Sequence, residues 1–206
     1  MVQRVGDALG ALQPAVPAEL VPQFVSLLQE LERWNRKVNL TAIRDPDEMI
    51  SVHLLDSLVA RPLLHGVRVL DVGTGAGFPG LPLAIAEPDR QFELVDSNLK
   101  KIMFVQHVTG LLGLSNVHAV QSRSEDYAPG HRFDTVIARA VATLPRLLDI
   151  AGHHVEGDGV FVALKGRYPA KELKDVPETW EYDVKDLDVP GLEKESRHAV
   201  LLRRAA

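Results

Sequence analysis

The period of the apolar positions changes once along the chain, near Gly66. Upstream of it, Leu20, Phe24, Leu27, Leu28, Leu31 and Trp34 recur at helical spacing and form one apolar stripe, with Pro17 placed to open the helix. A second helix is predicted after Pro46, with Met49, Ile50, Leu54, Leu55, Leu58 and Leu63 on its inner face, and Asn39-Leu40-Thr41 reads as the polar connector between the two. The first third as a whole reads as helical, with no separate helix assigned before Pro17. Downstream of Gly66, short apolar runs alternate with helical stretches. Strands are predicted at Arg68–Val72, Phe92–Val95, Val117–Val120, Thr135–Ala138 and Val160–Leu164. Helices are expected from Pro79–Leu81 onward, over Leu99–Leu112 with Gly113 as the stop, and over Thr143–His153. Beyond Pro169 the charged stretch reads as a last helix and a hairpin ending in His198–Arg203.

Strands alternating with helices imply right-handed crossovers and a parallel sheet. The expectation is an α/β, Rossmann-like fold: a central, mostly parallel sheet, helices on both faces, and an N-terminal helical extension. With 206 residues the chain suits one domain, residues 1–65 forming the extension and 66–206 the cofactor-binding core.

Chemistry concentrates where the first strand stops, in Asp71-Val72-Gly73-Thr74-Gly75-Ala76-Gly77-Phe78-Pro79-Gly80. Glycines at this point let the backbone turn sharply and approach a ligand closely. Asp96 closes the second strand, 25 residues after Asp71, where a doubly wound fold places a carboxylate to accept both hydroxyls of a ribose. A nucleoside cofactor is implied. Gly75, Gly77 and Gly80 match the dinucleotide fingerprint, so NAD is one candidate. Two features favour S-adenosyl-L-methionine instead. Pro79 and Pro82 each remove a backbone N–H that a pyrophosphate would need, and Asp71 puts a carboxylate near the loop, repelling a diphosphate and attracting an ammonium and a sulfonium. The bland alternative is a loop that only turns the chain and an Asp96 that caps the next helix.

Further along, Ser124 and Glu125 follow the third strand, where the adenine of such a cofactor would lie, although Ser124 also suits an N-cap. Arg139 and Lys165 follow the fourth and fifth strands and are expected in the cleft outside their carboxyl ends, with buried ion pairing as the alternative role. The chain has no cysteine, which excludes disulfides, Cys-based zinc sites and Cys nucleophiles and suits a reducing compartment; no metal site is expected. The first 13 residues lack the basic and apolar regions of a signal peptide, and no apolar run approaches the ~20 residues of a bilayer span, so a cytoplasmic protein without membrane partners is expected. A net charge of −5 argues against a non-specific nucleic-acid coat. Local basic clusters remain available for phosphate: Arg33, Arg36 and Lys37; Lys100 and Lys101; Lys165 and Arg167; Arg203 and Arg204.

The ordered set Asn39-Leu40-Thr41, His53 with Asp56-Ser57, Asp71 to Gly80, Arg139-Ala140-Val141-Ala142 and Leu164-Lys165-Gly166 resembles the glucose-inhibited division protein B family, the bacterial ribosomal RNA small-subunit methyltransferases G. The likeness runs from about Leu31 to Gly166. It implies a class I methyltransferase that methylates guanine N7 in 16S rRNA, as free RNA or in an assembling 30S subunit, and a monomer is expected. It also implies cofactor contacts at Gly73, Phe78, Ser124, Glu125 and Arg139, beside Gly75, Gly77 and Asp96 from the loop reading. Arg139, Lys165 and His53 are the candidates on the catalytic side; a structural role is the alternative for His53. A small-molecule methyltransferase and a non-catalytic RNA-binding module are the functional alternatives.

Overall fold

The computed structural model describes residues 1–205. Seven strands form one sheet in the order β3-β2-β1-β4-β5-β7-β6: β1 Arg68–Val72, β2 Gln91–Asp96, β3 Val117–Gln121, β4 Phe133–Arg139, β5 Val155–Lys165, β6 Trp180–Asp186 and β7 His198–Arg204. The first five are parallel, and β7 and β6 extend the sheet antiparallel. The hairpin expected at the C-terminus therefore finishes the sheet. Strand order reverses between β1 and β4, and a crevice opens there at the carboxyl ends of the strands.

Both faces of the central strands are buried, as parallel pairing requires. Successive residues of a strand face opposite ways, so Val69 joins one apolar cluster and its neighbour Leu70 the other. On one face lie α5 (Gly80–Ala86), α6 (Leu99–Leu112) and the first 64 residues; on the other lies α7 (Leu144–Ala151) with Trp180. The N-terminal helices share a continuous core with the sheet. Phe24, Leu27, Leu28 and Leu31 of α2 (Val21–Val38) are buried in the same cluster as Phe104 and Val105 of α6, and the Trp34 and Phe104 rings meet edge-on at 5.6 Å. α6 begins where Asn98 accepts from the Lys100 N–H at 3.0 Å and ends at left-handed Gly113.

Four segments depart from the sequence reading. Residues Val2–Gly10 form α1, which buries Val5 and Leu9. The single helix expected after Pro46 is broken into α3 (Pro46–Met49), a π-helical turn at Ile50–Leu55, α4 (Asp56–Leu58) and a 3₁₀ turn at Arg61–Leu63 that contains Pro62. β5 starts at Val155, five residues early, because the polar Glu156-Gly157-Asp158-Gly159 continues the strand instead of looping. Finally, α8 is a single turn, Ala170–Leu173. Among the described residues no helix is long and apolar enough to cross a membrane.

The shared core makes one cooperative unit of the helical extension and the sheet. Phe104→Ala is expected to cost about 3–5 kcal/mol and to leave one urea transition in which Trp fluorescence and far-UV dichroism coincide. A second, separable transition would show that the two parts unfold independently.

Candidate active site

The loop after β1 is held from below by Asp71. Its side chain is completely buried, and Oδ2 accepts from the Thr74 hydroxyl at 2.6 Å and from the Gly80 N–H at 2.8 Å. Burial pushes this carboxyl up to about 6, against the pull of the Thr74 and Gly80 hydrogen bonds and the positive charge of Arg139. The expectation that Asp71 would face a cationic ligand is corrected: it sits beneath the loop and ties its two ends together. Gly73 has a φ of +66°, and a Cβ there would come within 2.6 Å of Val141, which leads away from β4. Only glycine allows that approach across the β1–β4 crevice.

Asp96 ends β2 and supports the same loop from the side. Its Oδ2 accepts from the Gly75 N–H at 2.9 Å, and its Oδ1 accepts from Asn98 N–H at 2.8 Å. The capping residue of α6 is Asn98, not Asp96. Gly73, Asp96, Ser124, Glu125, Ala140 and Val141 surround a cavity of about 300 Å³. His154, whose pKa is lowered mainly by burial, holds the wall of this cavity through its Nε2, 3.0 Å from the Ser124 carbonyl.

Of the eight cofactor candidates, Gly73, Asp96, Ser124 and Glu125 line this cavity, and Gly75 abuts it through its bond to Asp96. The other three are elsewhere. Gly77 turns inward, where a Cβ would strike Leu81 at 2.4 Å. Phe78 is buried in the core, and its ring stacks on that of His53 at 5.0 Å. Arg139 belongs to a second cavity, of about 410 Å³, together with His53, Asp56, Lys165, Arg197 and His198. The two cavities meet at Ala140, whose left-handed backbone, φ +55°, turns the chain between them. A non-glycine residue adopts that conformation only when its surroundings impose it.

The second cavity is organised around the buried carboxylate of Asp56. Arg139 donates through Nη1 to Asp56 Oδ2 at 2.9 Å and to the Val52 carbonyl at 3.1 Å, and Arg197 donates through Nε to Asp56 Oδ1 at 2.9 Å. The Nε and Nη2 groups of Arg139 have no partner among the described residues. Lys165 is differently placed: its ammonium donates to Glu172 at 2.8 Å and to the Ala142 carbonyl at 2.8 Å, while the same Glu172 oxygen accepts from the Leu144 N–H at the start of α7. Both cations thus stand in the cavity wall, and both realise the ion pairing that the sequence left as the alternative. His53 lies 2.9 Å through Nε2 from the Thr41 hydroxyl, and its buried Nδ1 has no partner. Burial, reinforced by the charge of Arg139, pushes its pKa down to about 4, so the ring is neutral at neutral pH.

Sequence reasoning missed Arg197 and Glu172 and gave Asp56 no role. Asp56 and Arg197 are 141 positions apart, and no local spacing joins them. The basic clusters also sort differently. Arg33 and Arg36 pair with Glu30 and Glu32 along α2. Arg203 reaches the Asp158 and Gly159 carbonyls, and Arg204 lies over Trp180 at 4.9 Å, so both bind the sheet together. Lys37, Lys100, Lys101, Arg123 and Arg167 make no ion pair among the described residues; Lys101 and Arg123 line the first cavity.

A model of the family described as GidB, rRNA small subunit methyltransferase G, matches residues 20–200. The chain belongs to this family. A relative named ribosomal RNA small subunit methyltransferase G, from Idiomarina loihiensis, is 46% identical over 205 residues and is matched over 99% of each chain. Among solved structures, a putative O-methyltransferase from Klebsiella pneumoniae aligns with a TM-score of 0.58 at 13% identity, over 87% of this chain and 90% of that one. M. jannaschii TYW2 in complex with AdoMet aligns with a TM-score of 0.55 at 18% identity, over 73% and 77%. The fold is the Rossmann-like α/β fold of class I methyltransferases.

Two outcomes follow from this geometry. Asp96→Ala removes the acceptor of two loop N–H groups, so it is expected to destabilise the unliganded protein by about 1–2 kcal/mol; it should also weaken S-adenosylmethionine at least about tenfold by calorimetry. Unchanged affinity with lowered stability would confine Asp96 to the loop. The second outcome concerns pH. The folded pKa of His53 is below its ordinary 6.5, so the folded state declines a proton that the unfolded state takes up, and stability rises with pH between about 4 and 6.5. His53→Gln should remove a contribution on the order of 3 kcal/mol across that window. Comparison with the parent protein cancels the opposite slope expected of Asp71.

Proposed function

We propose that this chain transfers a methyl group from S-adenosyl-L-methionine to N7 of a guanine in 16S rRNA, as free RNA or in an assembling 30S subunit, acting as a monomer in the cytoplasm. The observation that carries the reading is the pair of cavities meeting at Ala140: one carries the Asp96 carboxylate, the other the cations Arg139 and Arg197. The first fits a nucleoside cofactor. Its volume is at the lower end of ordinary ligand sites, and both Asp96 oxygens keep a lone pair for ribose hydroxyls after receiving their backbone donors. Gly73, Gly75, Ser124 and Glu125 would complete that site. When bound, the cofactor supplies an electrophilic methyl on a sulfonium.

The second cavity would receive the base. Guanine N7 has a free lone pair and no proton, so the reaction needs no general base. The cavity matches that requirement: Asp56 is committed to two arginines, and His53 is neutral without being poised to titrate near pH 7. Alignment then carries the catalysis, and ordering of two reactants is worth about 7–11 kcal/mol. The methylated base is cationic, and an unscreened arginine beside it would raise the barrier. Asp56 supplies the screening for Arg139, whose Nε and Nη2 groups remain to donate to guanine O6 or to a phosphate. Lys165 is read as a positioning residue, because its charge is spent on Glu172 and its donor fixes the Ala142 carbonyl beside the cleft. His53, stacked on Phe78, would orient the base from the side of the helical extension.

The deciding experiment incubates the protein with labelled methyl donor and small subunits lacking the modification, then maps the labelled base. Label at a guanine N7 is expected; transfer only to small metabolites, or binding without transfer, would overturn the reading. Arg139→Ala leaves Asp56 paired with Arg197, so the variant should fold and bind the cofactor. It should lose methylation at least about tenfold, corresponding to one base or phosphate contact of about 1–3 kcal/mol. If the contact is to phosphate, the log–log salt slope of RNA binding flattens by about 0.7. Lys165→Ala should leave that slope unchanged.

A further inference from the structure

The loop after β5 leaves Gly166, Arg167 and Tyr168 exposed beside the second cavity, and Gly166 forms part of its lining. Tyr168 is 56% exposed, yet its ring is placed: it meets the His198 ring at 5.5 Å and 87°. His198 lines the cavity and is steadied by Asp186, 2.8 Å from its Nδ1. A perpendicular contact covers at most one face of Tyr168 and leaves the other to solvent. The loop is also fastened at both ends. Lys165 is tied to Glu172 and Ala142, and Pro169 is buried with its carbonyl accepting from Leu173 N–H at 3.0 Å. A residue before proline is held in extended backbone, which further restricts where the ring can go. The phenol hydroxyl makes no hydrogen bond and Arg167 makes no ion pair among the described residues.

An enzyme that acts on a base in structured RNA must draw that base out of its stack and leave a neighbour without its stacking partner. A flat, exposed, preorganised aromatic ring at the cavity mouth meets that need, and an unpaired arginine beside it suits the adjoining phosphate. We propose that Tyr168 is a stacking platform for a nucleobase flanking the target, with Arg167 gripping the neighbouring phosphate. The proposal rests on the second cavity being the acceptor site. Tyr168 is not itself among the residues lining the cavity, so it is a positioning residue.

The test uses the full chain, S-adenosylmethionine and unmethylated small subunits. Tyr168→Ala is expected to raise KM for subunits at least about fivefold, with kcat, cofactor affinity and melting temperature unchanged; Tyr168→Phe and Tyr168→Trp should behave like the parent. Stacking is not ionic, so Tyr168→Ala should leave the salt slope intact, whereas Arg167→Ala should flatten it by about 0.7. The Tyr168→Trp variant adds a readout without turnover: its extra emission should be quenched by a small-subunit RNA fragment. An unchanged KM for Tyr168→Ala overturns the proposal. So does an equal loss in Tyr168→Phe, which would assign the effect to the hydroxyl, or a fall in melting temperature, which would make the ring a prop for His198. If the parent enzyme fails to methylate subunits, the functional reading fails by itself, and the quenching measurement still decides whether Tyr168 meets RNA.

Discussion

The site depends first on one buried carboxylate. Asp71 stands at the end of the central strand with no exposure to solvent, and it fastens Thr74 and Gly80 to the same oxygen. Removing a carboxylate from water is costly, as the rise of its pKa to about 6 records. That cost is offset only in part, by two donors to Oδ2 and by the field of Arg139, while Oδ1 has no partner among the described residues. With the ends of the loop fixed, Gly75 can present its N–H to Asp96, and Gly73 can come against Val141. The first cavity is therefore a consequence of what lies under the loop. A loop of the same glycines without that anchor would have the required freedom but no fixed shape.

A second carboxylate organises the neighbouring cavity by another logic. Asp56 joins two arginines from distant parts of the chain, Arg139 at the end of β4 and Arg197 just before β7. Buried ion pairs contribute little net stability once desolvation is counted, but they are specific in geometry. Here the specificity has a clear product. Arg139 is held with one edge against protein and the other edge without a partner among the described residues, and its charge is moderated by Asp56. Lys165 and Glu172 form another ion pair at the end of the neighbouring strand β5, where Glu172 also receives the first N–H of α7.

Much of the fold was legible because the signals were local. Strand starts, the Gly113 stop and the glycine loop each depend on a few consecutive residues, and those elements fall within a few residues of expectation. The early start of β5 was hidden by Glu156-Gly157-Asp158-Gly159, a turn-like composition that sheet pairing overrides. α1 was missed although Val5, Leu9 and Leu12 keep helical spacing, because Gly6 and Gly10 weaken the signal and tertiary burial decides it. The gathering of Asp96, Ser124 and Glu125 around one cavity was readable from their place after a strand. The inward turn of Phe78 and Gly77 was not, since they share the glycine loop and only the packing beneath it separates them. The Asp56–Arg197 pair was beyond any motif, because chain topology alone brings its members together.

That topology also divides labour within the molecule. The first cavity is built from the strand ends and loops of the Rossmann-like core, which other methyltransferase folds share. The second is built from what is added to it: His53 and Asp56 come from the helical segment before β1, and Arg197 and His198 from the hairpin after β5. The π-helical turn at Ile50–Leu55 contains His53 and directly precedes Asp56, and its wider winding shifts both relative to a regular α-helix. His53 then stacks on Phe78 of the glycine loop, so the added segment touches the core at the loop itself. A change in the helical segment would reach the second cavity directly and the first only through Phe78 and Arg139. The conformation of Ala140, the one residue common to both cavities, therefore sets how the two meet.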